Sequence, residues 1–288
     1  MRLAIGTAQF GMHYGISNIN GKTSFQEAEK IVHLAKINHI DCIDTAIAYG
    51  DSESVLGRLR IKDFKLITKI PPINKAIGGV DRQIADMVSE SLKRLGLSKL
   101  FGILAHDSSE LLTENGDKLY ESMRRLKKLG LVEKIGLSAY SSDEITNLID
   151  RYEFDIVQLP FNVFDNRPVT SGLFEKLKLR NIEVHVRSIF LQGLLLVEPS
   201  KIPQKFNRWK KSFEDWDDYI KKSKLTRLSA CLAYVKSFKE IDRIVVGVEY
   251  EAQLAEILSA YDIDDVNNFP NFEIKDELLI NPGKWNEL

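Results

Sequence analysis

Residues 40–69 read IDCIDTAIAYGDSESVLGRLRIKDFKLITK. Two short, nearly continuous apolar runs, Ile40–Ile43 and Lys65–Lys69, bracket this stretch. Such runs are expected of parallel strands buried on both faces. Each leads into a polar, chemically active side chain, Asp44 after the first and Lys69 at the end of the second. Runs of the same kind recur outward in both directions: Leu3–Ile5, Phe101–Ala105, Glu133–Leu137, Asp155–Leu159, Ile182–Val186 and Arg243–Gly247, eight in all.

Helix-period segments lie between them. Ala28, Ile31, Val32 and Ala35 form one apolar face, with Ser24 and Glu27 spaced as a capping box. Ile84, Met87, Val88, Leu92 and Leu95 form another; Ile145 and Leu148 follow the Ser141/Glu144 pair. Leu225, Leu228, Leu232 and Val235 make a later face, and Leu254, Ile257 and Leu258 the last. Eightfold strand–helix alternation points to an α/β protein of the (β/α)8 TIM-barrel type, with residues 1–288 as a single domain. The dinucleotide-binding glycine fingerprint GxGxxG follows none of the strands, which argues against an open Rossmann sheet. After the seventh strand, Phe206, Trp209, Phe213, Trp216 and Ile220 recur at spacings of three and four. They predict an extra amphipathic helix in that connection, packed on the barrel or serving as a lid.

The formal net charge is −1, so no whole-molecule field recruits nucleic acid or an anionic membrane. The N-terminus lacks the pattern of a secretory signal, and the most apolar stretch, 188–197, is too short to span a bilayer. Cys42 and Cys231 form no disulfide framework. A cytoplasmic location is the expectation. Among the five histidines (His13, His33, His39, His106 and His185) there is no HxH or HExxH ligand pair, so no metal is expected.

Four polar residues fall at or just after consecutive strand ends: Asp44, Tyr49, Lys69 and His106. Neighbouring strand ends of a barrel open into one bowl. Reducing a carbonyl requires a proton for its oxygen, and a tyrosine, with a reference pKa near 10, is a poor acid at neutral pH. Lowering that value by about three units requires about 4 kcal/mol of selective stabilisation of the tyrosinate. An ammonium at Lys69 has the right sign, Asp44 could hold it, and His106 could orient the substrate oxygen. Taken singly, each of the four has an ordinary structural account; together they suggest general acid catalysis.

The segment Ile43–Gly50, followed by Ser52-Glu53 and Leu56-Gly57, resembles the aldo/keto reductase pattern D-T-A-x-x-Y-G-x-S-E-x-x-L-G. Residues 91–97 leading to His106, the 130–138 segment and the closing Ile280–Trp285 also resemble that family in order. The resemblance implies a catalytic tetrad of Asp44, Tyr49, Lys69 and His106, with Tyr49 as proton donor. It implies hydride transfer between nicotinamide and an aldehyde or ketone, sugar-derived carbonyls included. The alternative is a nicotinamide-binding regulatory barrel with little turnover; a different barrel chemistry, hydrolytic or metal-dependent, ranks below it.

By the same resemblance an NADP(H) or NAD(H) cofactor would cross the barrel mouth. Gly6, Thr7 and Ala8 would approach the nicotinamide end, Thr7 also through its hydroxyl, and Ser138 and Gln158 would hold the carboxamide. The usual Ser-Asn is here Ser138-Ala139, so one amide contact is missing. Arg187 stands where many members stack a tyrosine on the ring; an ion pair with a loop carboxylate is the competing account. Ser188, Phe190, Gln192 and Gly193 would follow the pyrophosphate. Gly247, Glu249 and Gln253 would meet the adenosine end, where the family's basic grip on a 2′-phosphate is replaced by acids, a pattern leaning toward NAD(H) or dual use. Phe10 and Tyr14, beside His13, and Phe161, beside Asn162, are the substrate candidates, with loop packing as the competing account. The partner expected is a small carbonyl compound, not nucleic acid or membrane; oligomeric state is left open.

Overall fold

The computed structural model describes residues 1–16, 18, 21–74, 79–263 and 269–288. Its strands are β1 (Leu3–Gly6), β2 (Cys42–Asp44), β3 (Lys65–Ile70), β4 (Leu100–Ala105), β5 (Val132–Ser138), β6 (Ile156–Pro160), β7 (Glu183–Arg187) and β8 (Arg243–Gly247). They pair in parallel and in sequence order, and β1 against β8 closes the barrel. All eight runs expected from the sequence are strands, with ends displaced by at most two residues. The displacement has consequences: Asp44, Ser138 and Arg187 belong to strands and do not trail them, so ladder hydrogen bonds fix their backbones.

Ala4, Cys42, Ile67, Leu104, Ile156 and Val245 form the apolar packing inside the barrel, and a much larger cluster lies between strands and helices. The outer helices are α1 (Phe25–Ile37), α2 (Ser52–Gly57), α3 (Val80–Leu95), α4 (Gly116–Lys128), α5 (Ser142–Arg151), α6 (Leu173–Leu179), α7 (Lys210–Ser223), α8 (Arg227–Lys236) and α9 (Glu251–Tyr261). Ser24 and Ser141 cap α1 and α5 by accepting the amides of Glu27 and Glu144. The carboxylates do not complete the reciprocal box. Glu27 accepts the Glu251 amide at the start of α9, and Glu144 accepts the Ser108 hydroxyl.

The extra helix is present but shorter than its apolar stripe. Phe206 and Trp209 lie in a 3₁₀ stretch, Gln204–Trp209, and α7 begins at Lys210. All of Phe206, Trp209, Phe213 and Trp216 are buried. Phe206 meets Trp285 edge-on, Phe213 meets Phe164, and the Trp216 indole donates to the Leu195 carbonyl at 3.1 Å. The stripe thus fastens the β7–α8 connection to the C-terminal segment. No helix among the described residues is long and apolar enough to cross a membrane.

Candidate active site at the barrel mouth

Asp44 ends β2, and its carboxylate is spent on two partners. Oδ1 accepts from Lys69 Nζ at 2.5 Å, and Oδ2 accepts from Gln158 Nε2 at 2.7 Å across the barrel. Lys69, 1% exposed, also donates to the Thr45 carbonyl at 2.9 Å. Two of its three N–H donors are thereby used. The ammonium lies 5.1 Å from the Tyr49 ring centre, which brings the phenol within its field. Burial alone would lower the Lys69 pKa, but the charges of Asp44 and then Tyr49 outweigh it and hold the group above its ordinary value. Lys69 is therefore a permanent cation at neutral pH.

Tyr49 is positioned by a close backbone approach. A Cβ on Gly11 would stand 1.7 Å from the Tyr49 carbonyl oxygen, and one on Gly50, which has φ +54°, would stand 2.3 Å from the Gly11 carbonyl oxygen. Only paired glycines allow the β1 and β2 loops to touch there. Four residues on, the buried Glu53 carboxylate accepts from Thr68, Ser91 and Arg94, tying the Tyr49 loop to β3 and α3. The loop that carries the phenol is anchored on three sides.

His106 follows β4, its amide bonded to the Ile70 carbonyl at 2.9 Å, and its ring meets Tyr49 edge-to-face with centroids 5.6 Å apart. Burial, then the neighbouring Lys69 charge, pushes its pKa down to about 4. At neutral pH the imidazole is uncharged, with one N–H to donate. The four residues singled out in the sequence thus meet at one rim.

Beside them runs a cleft of about 300 Å³. Asp44, Tyr49, Tyr14, Gly6, Thr7, Ala8, Arg187, Ser188, Phe190, Gln192, Gly193, Gly247, Glu249 and Gln253 border it, so most of the expected cofactor residues come together. Thr7 departs from expectation. Its hydroxyl donates to the Asp44 carbonyl and accepts from Ser52, leaving the backbone to face the cleft. Ser138 and Gln158 lie deeper, paired in register on β5 and β6. Gln158 is fully buried, and its Oε1 has no hydrogen-bond partner. A buried amide oxygen without a donor is costly, and an incoming carboxamide N–H would satisfy it. The 188–193 turn along one wall holds Ser188, Leu191 and Gln192 at positive φ, a strained conformation for non-glycine residues of the kind that clusters at ligand sites. These features fit a nicotinamide dinucleotide. No group of metal-binding side chains occurs among the described residues.

Two substrate candidates are corrected. Phe10 and Phe161 are both 0% exposed. Phe161 packs among Phe174, Tyr234 and Phe238 on the helical side of the strands, so its large apolar surface goes into the core, not the bowl. Asn162 is likewise used structurally, donating to the Ser188 carbonyl and accepting the amides of Phe164 and Asp165. Tyr14 does border the cleft and accepts from Gln192. Sequence reasoning missed Gln9, Ile189, Leu196, Leu228, Tyr250 and Glu256, which also line it. Gln9 and Ile189 neighbour expected residues; Leu228 had been read as a helix-face residue and carried no separate signal.

The chain is thus a closed parallel barrel that brings Asp44, Lys69, Tyr49 and His106 to one rim beside a cleft. The sequence pattern of the aldo/keto reductase family matches residues 2–270, and the chain belongs to that family of oxidoreductases. The aldo-keto reductase AKR11C1 from Bacillus halodurans, in its holo form, superposes with a TM-score of 0.73 at 18% identity, covering 92% of this chain and 88% of the other. A protein from Pseudomonas aeruginosa assigned as an aldo-keto reductase gives 0.66 at 21% identity, covering 90% and 89%. Both likenesses concern the fold. No curated protein sequence matches the chain.

Proposed function

We propose that this protein is an NAD(P)-dependent carbonyl reductase in which Tyr49 is the general acid. The observation that carries this reading is the Asp44–Lys69 pair at 2.5 Å beneath the Tyr49 ring. When bound, the nicotinamide cofactor supplies the hydride. Tyr49 holds a proton on its phenol oxygen and releases it to the carbonyl oxygen as negative charge develops there. Lys69 stabilises the phenolate left behind, and Asp44 keeps Lys69 charged and oriented. His106, neutral at working pH, donates a hydrogen bond to the same carbonyl oxygen. Gln158 and Ser138 would hold the carboxamide, with Gly6, Thr7 and Ala8 offering their backbone beside it. Ser188, Phe190, Gln192 and Gly193 would hold the pyrophosphate.

At the adenosine end Gly247, Glu249, Gln253 and Glu256 border the cleft, and that end has no lysine or arginine among its lining residues. Two carboxylates suit ribose hydroxyls and repel a 2′-phosphate, so we assign a preference for NAD(H) over NADP(H). Cys42 and Cys231, both free and buried, accord with a reducing, cytoplasmic setting.

The test is fluorescence titration with NADH and NADPH, followed by a carbonyl panel with the better cofactor. NADH is expected to bind at least about tenfold tighter, a difference of about 1.4 kcal/mol. Tight binding of both cofactors without turnover of any carbonyl would favour a regulatory barrel.

A further inference from the structure

Among the described residues, a cation at the barrel mouth has no acid to neutralise it. Lys69 is matched by Asp44 and His106 is neutral, but Arg187, at the end of β7, has no carboxylate within ion-pair distance among the described residues. The loop carboxylate Asp165 is already gripped by Arg167 at 2.7 and 2.8 Å. The guanidinium instead lies with its centre 4.1 Å above the Tyr140 ring. Its hydrogen bonds to the Ser188 hydroxyl and the Ala139 carbonyl are both 3.5 Å, at the outer limit for such contacts. Beyond these contacts and one to the Tyr140 side chain, its five N–H donors are only partly used, while its plane lies against an aromatic face. Arg187, Tyr14 and Tyr49 border the same cleft.

A half-buried, pre-oriented and unpaired guanidinium beside the proton donor is a site for an oxyanion. We propose that Arg187 is the anion-recognising residue of the substrate site, so that the carbonyl compound reduced at Tyr49 carries a carboxylate or a phosphate. This rests on the reductase reading above and narrows it to a substrate class. The two anions share the recognition chemistry, a planar donor fork against two oxygens.

Matched substrate pairs test it: 4-oxobutanoate against butanal, and glyceraldehyde 3-phosphate against glyceraldehyde, each with saturating cofactor. The kcat/KM ratio of charged to neutral member is expected to be about 50 or more in at least one pair, the size of one charge-assisted contact, and the better pair identifies the anion. Arg187→Met should reduce that ratio to within about threefold of unity, and Arg187→Lys should restore part of it because charge survives without the fork. A second readout needs no turnover: succinate or inorganic phosphate, which contain no reducible carbonyl, should bind the wild-type cofactor complex by calorimetry and not the Arg187→Met complex.

Wild-type protein that shows no preference in either pair and binds neither anion would overturn the proposal. So would an Arg187→Met variant that keeps the ratio but loses cofactor affinity, since the guanidinium would then serve the nicotinamide. Arg187-dependent anion binding without turnover of any carbonyl would uphold the anion site and overturn the reductase reading alone.

Discussion

The two ends of the barrel handle charge in opposite ways. At the floor, where the strands begin, Asp41 accepts from Arg243 at 2.6 Å and from Lys65 at 2.9 Å, and Glu183 accepts from Lys134 at 2.5 Å. Arg243, Lys65 and Lys134 each have an acid, Arg2 is held by the Lys236, Phe238 and Ile241 carbonyls, and the His185 and Lys134 contacts hold the Glu183 carboxyl down at about 2. Among the described residues at the mouth, Arg187 is left without an acid, Gln158 Oε1 is without a donor, and the 188–193 turn holds four positive-φ residues; His185 Nδ1, on the strand beside Gln158, is likewise without a partner. Paired charges line much of the floor. Unpaired charge and backbone strain at the mouth keep interaction capacity in reserve for a ligand, on the face where barrels of this type work.

Breaking the contrast at its strongest point means removing the phenol. Tyr49→Phe should lower kcat by about 10²–10⁴-fold, the usual contribution of a general acid, while leaving the thermal midpoint nearly unchanged. Steady-state kinetics alongside a melting curve would reveal either failure. Next in size is Lys69→Met, which strands the buried Asp44 carboxylate. Urea unfolding should register a loss of about 3–5 kcal/mol, together with most of the activity.

A smaller effect separates the ends by pH. His106 is held neutral, with its pKa depressed to about 4 against an ordinary 6.5. The unfolded chain therefore takes up this proton first, so stability is full above about pH 6.5 and falls as pH drops toward 4. In His106→Gln that part of the slope should be absent from the melting temperatures measured across the window; an unaltered slope would mean that His106 is not depressed. The smallest effect belongs to the floor. Lys134→Met breaks a pair whose partners are 28% and 32% exposed, so stability should change by about 1 kcal/mol or less and kcat should not change.

Much of this site was readable because its residues sit where the sequence pattern itself changes character. Asp44 and Lys69 are charged residues at the ends of apolar runs, and that interruption marks a strand end facing a bowl. Phe10 and Phe161 were misread for the converse reason. An aromatic just beyond a strand can turn toward the mouth or back under the helices, and only the packing of Phe174, Tyr234 and Phe238 around Phe161 decides which. The helix stripe from Phe206 to Ile220 was legible as a face, but its start was not, because the 3₁₀ stretch up to Trp209 keeps nearly the same period.

The linear order of residues determined the eight strands, the helices between them and the chemical types set at each strand end, because burial on both faces of a parallel strand leaves a local signature in the chain. Tertiary structure alone decided that the Tyr49 loop meets the β1 loop through Gly11 and Gly50, that Gln158 reaches Asp44 across the barrel, and that Arg187 lies on Tyr140 with no acid beside it among the described residues. These are pairings between segments far apart in the chain. Whether a charge finds its partner depends on closure of the ring, which no local pattern encodes.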